Sequence, residues 1–167
     1  INIFQSKGGP YLDSIIHTFV FTGVTVIFKT LLGLGLALLL HKGLKSRHVF
    51  RTIFFLPYAL APLIIGITFV SILKPEGPLN LLLAAFGLDG LTHAWLTEPG
   101  TALGSTMAVE VWRMAGWNMM ILLAGLEMIP EEYYEASSID GAGKWMQFRK
   151  ITLPFLRTSL TTVIVLN

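Results

Sequence analysis

Long apolar runs, and not an alternating or one-sided pattern, dominate the sequence, and they predict helices that cross a membrane. Residues 52–73 carry no formal charge. A helix of that length extends about 33 Å, enough to cross about 30 Å of hydrocarbon. Pro57 and Pro62 fall within this run and predict a kink that neighbouring helices can accommodate. The predicted membrane helices are 14–40, 52–73, 102–126 and a truncated fourth at 154–167.

The composition supports lipid as the solvent of these runs. Hydrophobic residues make up 53% of the 167-residue chain and charged residues 13%, about half the charged fraction of roughly 25% in soluble domains. No cysteine is present, which excludes disulfide frameworks and thiol nucleophiles. The net charge is only +2, and the scattered basic residues indicate membrane topology and not nucleic-acid binding. The predicted fold is therefore an all-α integral membrane protein, a polytopic bundle of three full transmembrane helices and the start of a fourth.

The distribution of lysine and arginine predicts how this bundle is oriented. Two polar segments, 41–51 and 127–157, contain eight of them, against two elsewhere on the opposite side. By the positive-inside rule, these two segments face the cytoplasm and the breaker-rich loop 74–101 is extracytoplasmic. The eight are Lys42, Lys45, Arg47, Arg51, Lys144, Arg149, Lys150 and Arg157, and the two are Lys7 and Lys74.

The segment 130–152 is polar, yet its residues favour helices. Pro130 suits a first helical position, and the acidic residues that follow it favour the positive end of a helix dipole. Gly141 and Gly143 permit the positive φ with which a helix ends in a sharp turn. A second short helix is predicted over 144–152. The segment is thus predicted to be a helix-turn-helix unit in the cytoplasm.

This segment carries a spaced motif. Glu135-Ala136-Ser137 is followed after three residues by Gly141, and after nine more by the sequence Ile-Thr-Leu-Pro at 151–154. The pattern resembles the EAA motif of permease subunits in binding-protein-dependent ABC importers, from which only Ser137 departs, standing where the family has alanine. Residues 50–62, 122–130 and 139–143 resemble the carbohydrate-uptake branch of that family, the maltose and glycerol-phosphate type.

The resemblance implies a single transmembrane permease domain over 1–167, a fragment of a six-helix subunit in a bacterial inner membrane. In the family the motif, here within 130–152, forms a cytoplasmic coupling helix that docks on an ATPase. Carried over, the coupling residues are Glu135, Ala136, Ser137, Asp140, Gly141, Ile151, Leu153 and Pro154. The implied partners are a second permease subunit, an ABC ATPase dimer, an extracytoplasmic solute-binding protein and membrane lipid. No cofactor is expected, since ATP is bound by the ATPase, and the sequence lacks a glycine-rich phosphate loop.

Four polar residues fall at membrane depth, where ionisable groups are costly and often functional. Lys29, Glu110, Arg113 and Asn118 either line the solute pathway or serve the packing of the bundle, with Glu110 and Arg113 spaced to neutralise each other. Asn118, Trp112 and Trp117 suit a sugar ring, and equally suit helix packing. The acidic residues after Pro130 are explained by a helix N-terminus, so neither a metal site nor a catalytic site is expected.

Two alternatives stay open on the sequence alone. The solute could belong to another class, such as amino acids or polyamines. The second alternative is a membrane enzyme or a scaffold. An enzyme would cluster titratable groups at one depth, whereas this chain shows only Lys29 and the pair Glu110 and Arg113. Which solute is carried, and which residues bind it, is not encoded in any motif of this chain.

Overall fold

The computed structural model describes residues 10–41 and 46–167, and in that part of the chain every regular element is a helix. Lys7, Lys42 and Lys45, which contribute to the predicted topology, lie outside the described residues. A 3₁₀ turn follows α4 at Asp89–Leu91, and a π-helical segment follows α7 at Phe148–Thr152. The α-helices are α1 Pro10–His41, α2 Arg47–Ala59, α3 Pro62–Leu73, α4 Pro78–Ala85, α5 Ala102–Glu127, α6 Glu131–Ile139, α7 Lys144–Gln147, α8 Leu153–Phe155 and α9 Arg157–Leu166.

Two stretches of the described chain are long and apolar enough to cross a membrane. They are Tyr11–His41, with a mean hydropathy of 2.1, and Pro62–Ala85, with a mean of 1.2. Helix α5 has 26 residues but is interrupted by polar side chains, and α9 is shorter. The fold is thus a helical membrane protein, while the count of three complete membrane helices and the start of a fourth stays a prediction.

The predicted helix over 52–73 is divided in the structure. Helix α2 begins earlier, at Arg47, and contains Pro57, while Pro62 opens α3 at its first position. Between them Ala61 is extended, with φ −59° and ψ 132°. A residue before proline is kept out of the α region by the proline ring, and proline at a first helical position leaves no N–H unpaired. Pro62 therefore separates two helices where the sequence predicted a kink in one.

The described chain forms two compact units. The first contains α3, α4 and the loop after them, within Leu60–Trp112, together with the described residues up to Ile27. Asn80 organises its loop: the side-chain Nδ2 donates to the carbonyls of Pro75 and His93 at 3.0 and 2.9 Å. Its Oδ1 accepts from Trp95 Nε1 at 2.8 Å. The predicted extracytoplasmic loop is thus an ordered structure held by one buried amide.

The second unit comprises Phe28–Ala59 and Arg113–Asn167 and has its own apolar core. Gly33 allows close packing there, because a Cβ at this position would lie 2.6 Å from the Cβ of Asn118. A Cβ at Gly116 would likewise overlap the carbonyl of Phe54. Gly35, two residues later on the same helix, has open space around it. The buried core residues are Ala37, Leu40, Met119, Leu122, Leu123, Leu126, Ile129, Leu156 and Val163.

Candidate functional site

The polar segment that follows α5 folds into two connected arms, which we call the elbow. Its first arm is α6, Glu131–Ile139, and its second arm comprises residues 144–157. Pro130 is extended, with φ −61° and ψ 136°, and directs the chain out of α5 into the first arm. Glu131 and Glu132 occupy the first turn of α6, where the helix dipole favours negative charge.

A glycine turn joins the two arms. Gly141 has φ +77°, a left-handed conformation that costs a residue with a Cβ free energy. The N–H of Ala142 donates to the carbonyl of Ser137 at 2.9 Å, and that of Gly141 to the carbonyl of Ser138 at 3.1 Å. These two bonds are those of a Schellman C-cap. The predicted positive φ is confirmed at Gly141, whereas Gly143 has φ −69° and precedes α7.

The second arm continues into α9 without leaving right-handed helical geometry. Within the π-helical segment, the N–H of Leu153 donates to the carbonyl of Phe148, five residues back. Leu156 then donates to the carbonyl of Thr152 at 3.0 Å and accepts from Leu160 at 2.8 Å. The sequence predicted a new helix at Pro154. A π-helical turn before the proline instead lets one helical path run through it.

Gln147 bridges the arms through its side-chain amide. Nε2 donates to Ser137 Oγ at 3.0 Å and to Ser138 Oγ at 2.9 Å, and it lies 3.3 Å from the carbonyl of Tyr134. Both serine hydroxyls in turn donate to that carbonyl, at 2.9 and 2.8 Å. The hydroxyl of Ser137, the one departure from the motif, thus supplies an acceptor that an alanine would lack.

A second bridge lies closer to the helix bundle. The hydroxyl of Tyr134 lies 2.9 Å from Oγ1 of Thr152, which is buried. The rings of Tyr133 and Phe155 are 5.1 Å apart. Ile151 packs against the apolar core of its unit. Four residues of the first arm and three of the second therefore fix the angle between the arms.

The motif residues divide between the interior and the surface of the elbow. Ser137 and Ile151 are half-buried, and Leu153 is 37% exposed. The side chain of Ile139, beside the motif, is 88% exposed, more than any other large apolar side chain of the described residues. The exposed motif residues are Glu135, Ala136, Asp140, Gly141 and Pro154. The outer surface of the first arm is thus a small apolar and acidic face without cover in the described chain.

An ion pair lies where α5 meets the elbow. Arg51 Nη2 on α2 is 2.9 Å from Glu127 Oε1 at the end of α5, and Arg47 Nη1 is 3.9 Å from the same oxygen. A cavity of about 640 Å³ opens beside it, and His41, Glu131, Tyr134 and Lys144 contribute to its lining. Charges of both signs line this cavity, so it shows no preference for one ionic ligand.

The four polar residues predicted to lie at membrane depth are buried to different degrees. Lys29 is 3% exposed and Asn118 is fully buried, while Glu110 and Arg113 are half-buried. Lys29, Arg113 and Asn118 belong to the second unit and Glu110 to the first. Burial agrees with both a pathway role and a packing role, so these roles stay predictions.

Asn118 has two unused hydrogen-bond donors, both on its side-chain NH₂ group. Its Oδ1 accepts from Asn167 Nδ2 at 3.0 Å, while its own Nδ2 is buried without a partner among the described residues. One position earlier on α5, the ring of Trp117 stacks on Tyr58 at 4.7 Å. Trp112 contacts Phe69 edge-on at 5.3 Å in the other unit. Within residues 10–41 and 46–167, no three His, Asp or Glu side chains are grouped to hold a metal.

Known proteins resemble this chain over most of its length. Residues 29–167 match the family described as "Binding-protein-dependent transport system inner membrane component". The probable ABC transporter permease protein YurN of Bacillus subtilis is 38% identical over 147 residues, 86% of this chain and 50% of that relative. The maltose/maltodextrin transport system permease protein MalF of Klebsiella aerogenes is 34% identical over 167 residues, 98% of this chain and 32% of MalF. The chain thus spans about a third to a half of the length of these relatives.

Solved structures of a bacterial alginate importer share the fold. The crystal structure of this ABC transporter, which imports the acidic polysaccharide alginate, matches with a TM-score of 0.87 and 27% identity. The match covers 99% of this chain and 57% of the solved one. A second crystal structure holds the alginate transporter in complex with a periplasmic protein that binds an alginate pentasaccharide, again with a TM-score of 0.87.

Proposed function

Because the chain belongs to the family of inner membrane components of binding-protein-dependent transport systems, we propose that the whole protein is the permease subunit of an ABC importer for a sugar. The family is one of transport components and not of enzymes. The elbow is the site through which a separate ATPase drives the permease. Three complete membrane helices and the start of a fourth lie in this chain, and the elbow lies in the cytoplasm.

One observation supports the coupling role: the first arm has an exposed face and is held in place by contacts with the second arm. An ATPase that opens and closes can move membrane helices only through a connector that keeps its shape under load. The hydrogen bonds of Gln147 and the Tyr134–Thr152 pair hold the two arms together. The first arm leaves α5 through the buried Ile129 and the exposed Pro130, and the second continues into α9. A displacement of the tip is therefore passed to both membrane helices.

The chemistry of the first arm defines the surface that it fits. Ile139 offers an apolar side chain, Glu135 and Asp140 offer carboxylates, and Ala136 and Gly141 allow close backbone approach. The complementary cleft has an apolar floor and a basic rim. ATP is held by that partner, because the phosphate-binding loop of an ATPase is absent from this sequence.

The relatives support a sugar as the solute. MalF belongs to a maltose/maltodextrin system, and the solved structure belongs to an alginate importer. Asn118, with its two unused N–H groups, and the stacked pair Tyr58 and Trp117 combine an amide with aromatic faces, which suits a hydroxylated ring. Lys29, Glu110 and Arg113 are further candidates for the pathway. Amino acids and polyamines are the competing solute classes.

The extracytoplasmic side offers the surface for a solute-binding protein. The Asn80-centred loop within 74–101 is ordered by hydrogen bonds, so it can present a fixed surface. The alginate transporter has been crystallised with its periplasmic protein, which supports a partner of the same kind here. A second permease subunit completes the pathway.

Ile139 provides the test of the coupling site. In the full-length protein expressed with its partners, Ile139→Ser should lower both ATPase co-purification and solute uptake, while membrane insertion is unchanged. Leu88→Ser is the matched control for ATPase co-purification, which it should leave unchanged, since Leu88 is an exposed apolar residue in the loop predicted to face outward. Normal ATPase association and uptake in the Ile139 variant would refute the coupling role. Uptake by liposomes of a panel of sugars, amino acids and polyamines identifies the solute class.

A further inference from the structure

The two arms of the elbow carry opposite charges. The charged residues of the first arm and its turn are all acidic, and those of the second arm are all basic. All eight side chains are exposed, and no ion pair of the described chain joins the arms. The acidic residues are Glu131, Glu132, Glu135 and Asp140, and the basic ones are Lys144, Arg149, Lys150 and Arg157. Each arm therefore presents its charge to an external partner and does not neutralise the other.

Exposed apolar residues lie between the cations of the second arm. Leu153 and Phe155 are 37% and 47% exposed, and they fall between Lys150 and Arg157. Phe155 packs against Tyr133, which is itself 50% exposed, with ring centres 5.1 Å apart. An exposed aromatic pair bordered by cations is the composition found where a helix enters the headgroup region of a bilayer.

The helical path of the second arm sets the depth of its cations. Arg157 is the last charge before the uncharged run of α9. Arg149 and Lys150 precede Phe155 by five or six residues, about 8–9 Å along a helix. A headgroup layer is about 5–8 Å thick. With Phe155 at the hydrocarbon boundary, the long side chains of Arg149 and Lys150 reach the phosphates.

We propose that Arg149, Lys150 and Arg157 form a binding surface for the headgroups of anionic phospholipids at the cytoplasmic side of the membrane. This inference rests on the proposed topology and function.

The experiment measures lipid retention in the intact importer. The full complex is placed in nanodiscs of phosphatidylcholine with phosphatidylglycerol, extracted, and the phosphatidylglycerol that stays bound is counted by native mass spectrometry. The double variant Arg149→Gln/Lys150→Gln should weaken retention on the order of fivefold for each cation removed. Arg149→Lys/Lys150→Arg, which keeps both charges, should retain the lipid, as should Lys74→Gln, which removes an exposed cation from the opposite side.

Two outcomes would overturn the proposal. One is undiminished phosphatidylglycerol retention in the double glutamine variant. The other is loss of the ATPase from that variant with lipid retention intact, which would assign the basic arm to a protein surface. The single variant Arg157→Gln, with an expected loss on the order of fivefold, provides an independent reading if the double variant folds poorly. Because retention is measured without solute or ATP, its result is separate from that of the Ile139 test of coupling.

Discussion

Replacing Gln147 should loosen the elbow without altering its exposed face. The Gln147 amide has two N–H groups for three acceptors, on Ser137, Ser138 and Tyr134. We predict that Gln147→Leu, which has similar volume and no donor, removes this bridge. Each such bond contributes about 0.5–1.5 kcal/mol, so the contact between the arms loses about 1–3 kcal/mol. A loss of about 2 kcal/mol lowers the ratio of bridged to unbridged elbows about 30-fold.

The assay compares solute transport with ATP hydrolysis in the same vesicles. Glu135 and Ile139 are untouched in Gln147→Leu, so the ATPase should still co-purify. Less solute should be transported for each ATP hydrolysed, because an unbridged elbow absorbs part of the displacement. Combining this change with Ser137→Ala should cost less than the sum of the two single changes, since both remove the same hydrogen bond.

Asn80→Leu is the matched control for Gln147→Leu. Asn80 is also a side-chain amide with three hydrogen bonds, but it organises the loop predicted to face outward. Its replacement should lower thermal stability. It should leave the ratio of transport to hydrolysis unchanged when the solute-binding protein is saturating, since this loop is the proposed docking surface for that protein. A normal ratio in Gln147→Leu, measured alongside a loss of stability, would show that the bridge between the arms is not needed for coupling and would refute the mechanical reasoning.

Three further predictions concern backbone geometry and orientation. Gly141→Ala should cost about 1–2 kcal/mol at its left-handed φ and lower ATPase co-purification. Gly87→Ala, with an equivalent φ of +73°, should lower thermal stability and leave ATPase co-purification unchanged. Equal co-purification in both variants would contradict the special role of the elbow turn. Gly33→Ala should destabilise the protein, because its Cβ would lie 2.6 Å from a side chain of α5. Gly35→Ala, in open space, should not. Equal melting temperatures of the two variants would contradict the close packing of Gly33 on α5. A cysteine replacing Lys144 should react with membrane-impermeant maleimide only in inverted vesicles, and labelling of intact cells would reverse the topology.

The elbow shows what spacing along a sequence can reveal about a site. The left-handed turn at Gly141 was predictable because glycine is the residue that adopts that φ at low cost. The hydrogen bond from Gln147 to Ser137 was not predictable, because a spacing of ten residues does not indicate which side chains face each other across a turn. Ile139 was also missed as a surface residue. Only its 88% exposure distinguishes it from a buried isoleucine.

The polar residues within the apolar runs show the same difference between what is local and what depends on tertiary contacts. The sequence identifies Lys29 and Asn118 as polar interruptions of apolar runs, which is a local property. Their burial depends on neighbouring helices, as does the close approach of Gly33 to Asn118. The Tyr58–Trp117 stack likewise joins residues distant in sequence, and no periodicity predicts it.

By itself, the sequence determined the helical class, the membrane environment and the place of the glycine turn, because apolar run length, charge content and glycine positions act through local physical chemistry. The tertiary structure alone decided that Pro62 separates two helices and that a π-helical turn carries one helical path past Pro154 into α9. It also decided which motif residues are exposed at the surface of the elbow. A proline can kink a helix, separate two helices or follow a π-helical turn, and the sequence pattern alone does not select among these. The exposure of the motif residues depends on contacts with other segments, which a linear pattern does not encode.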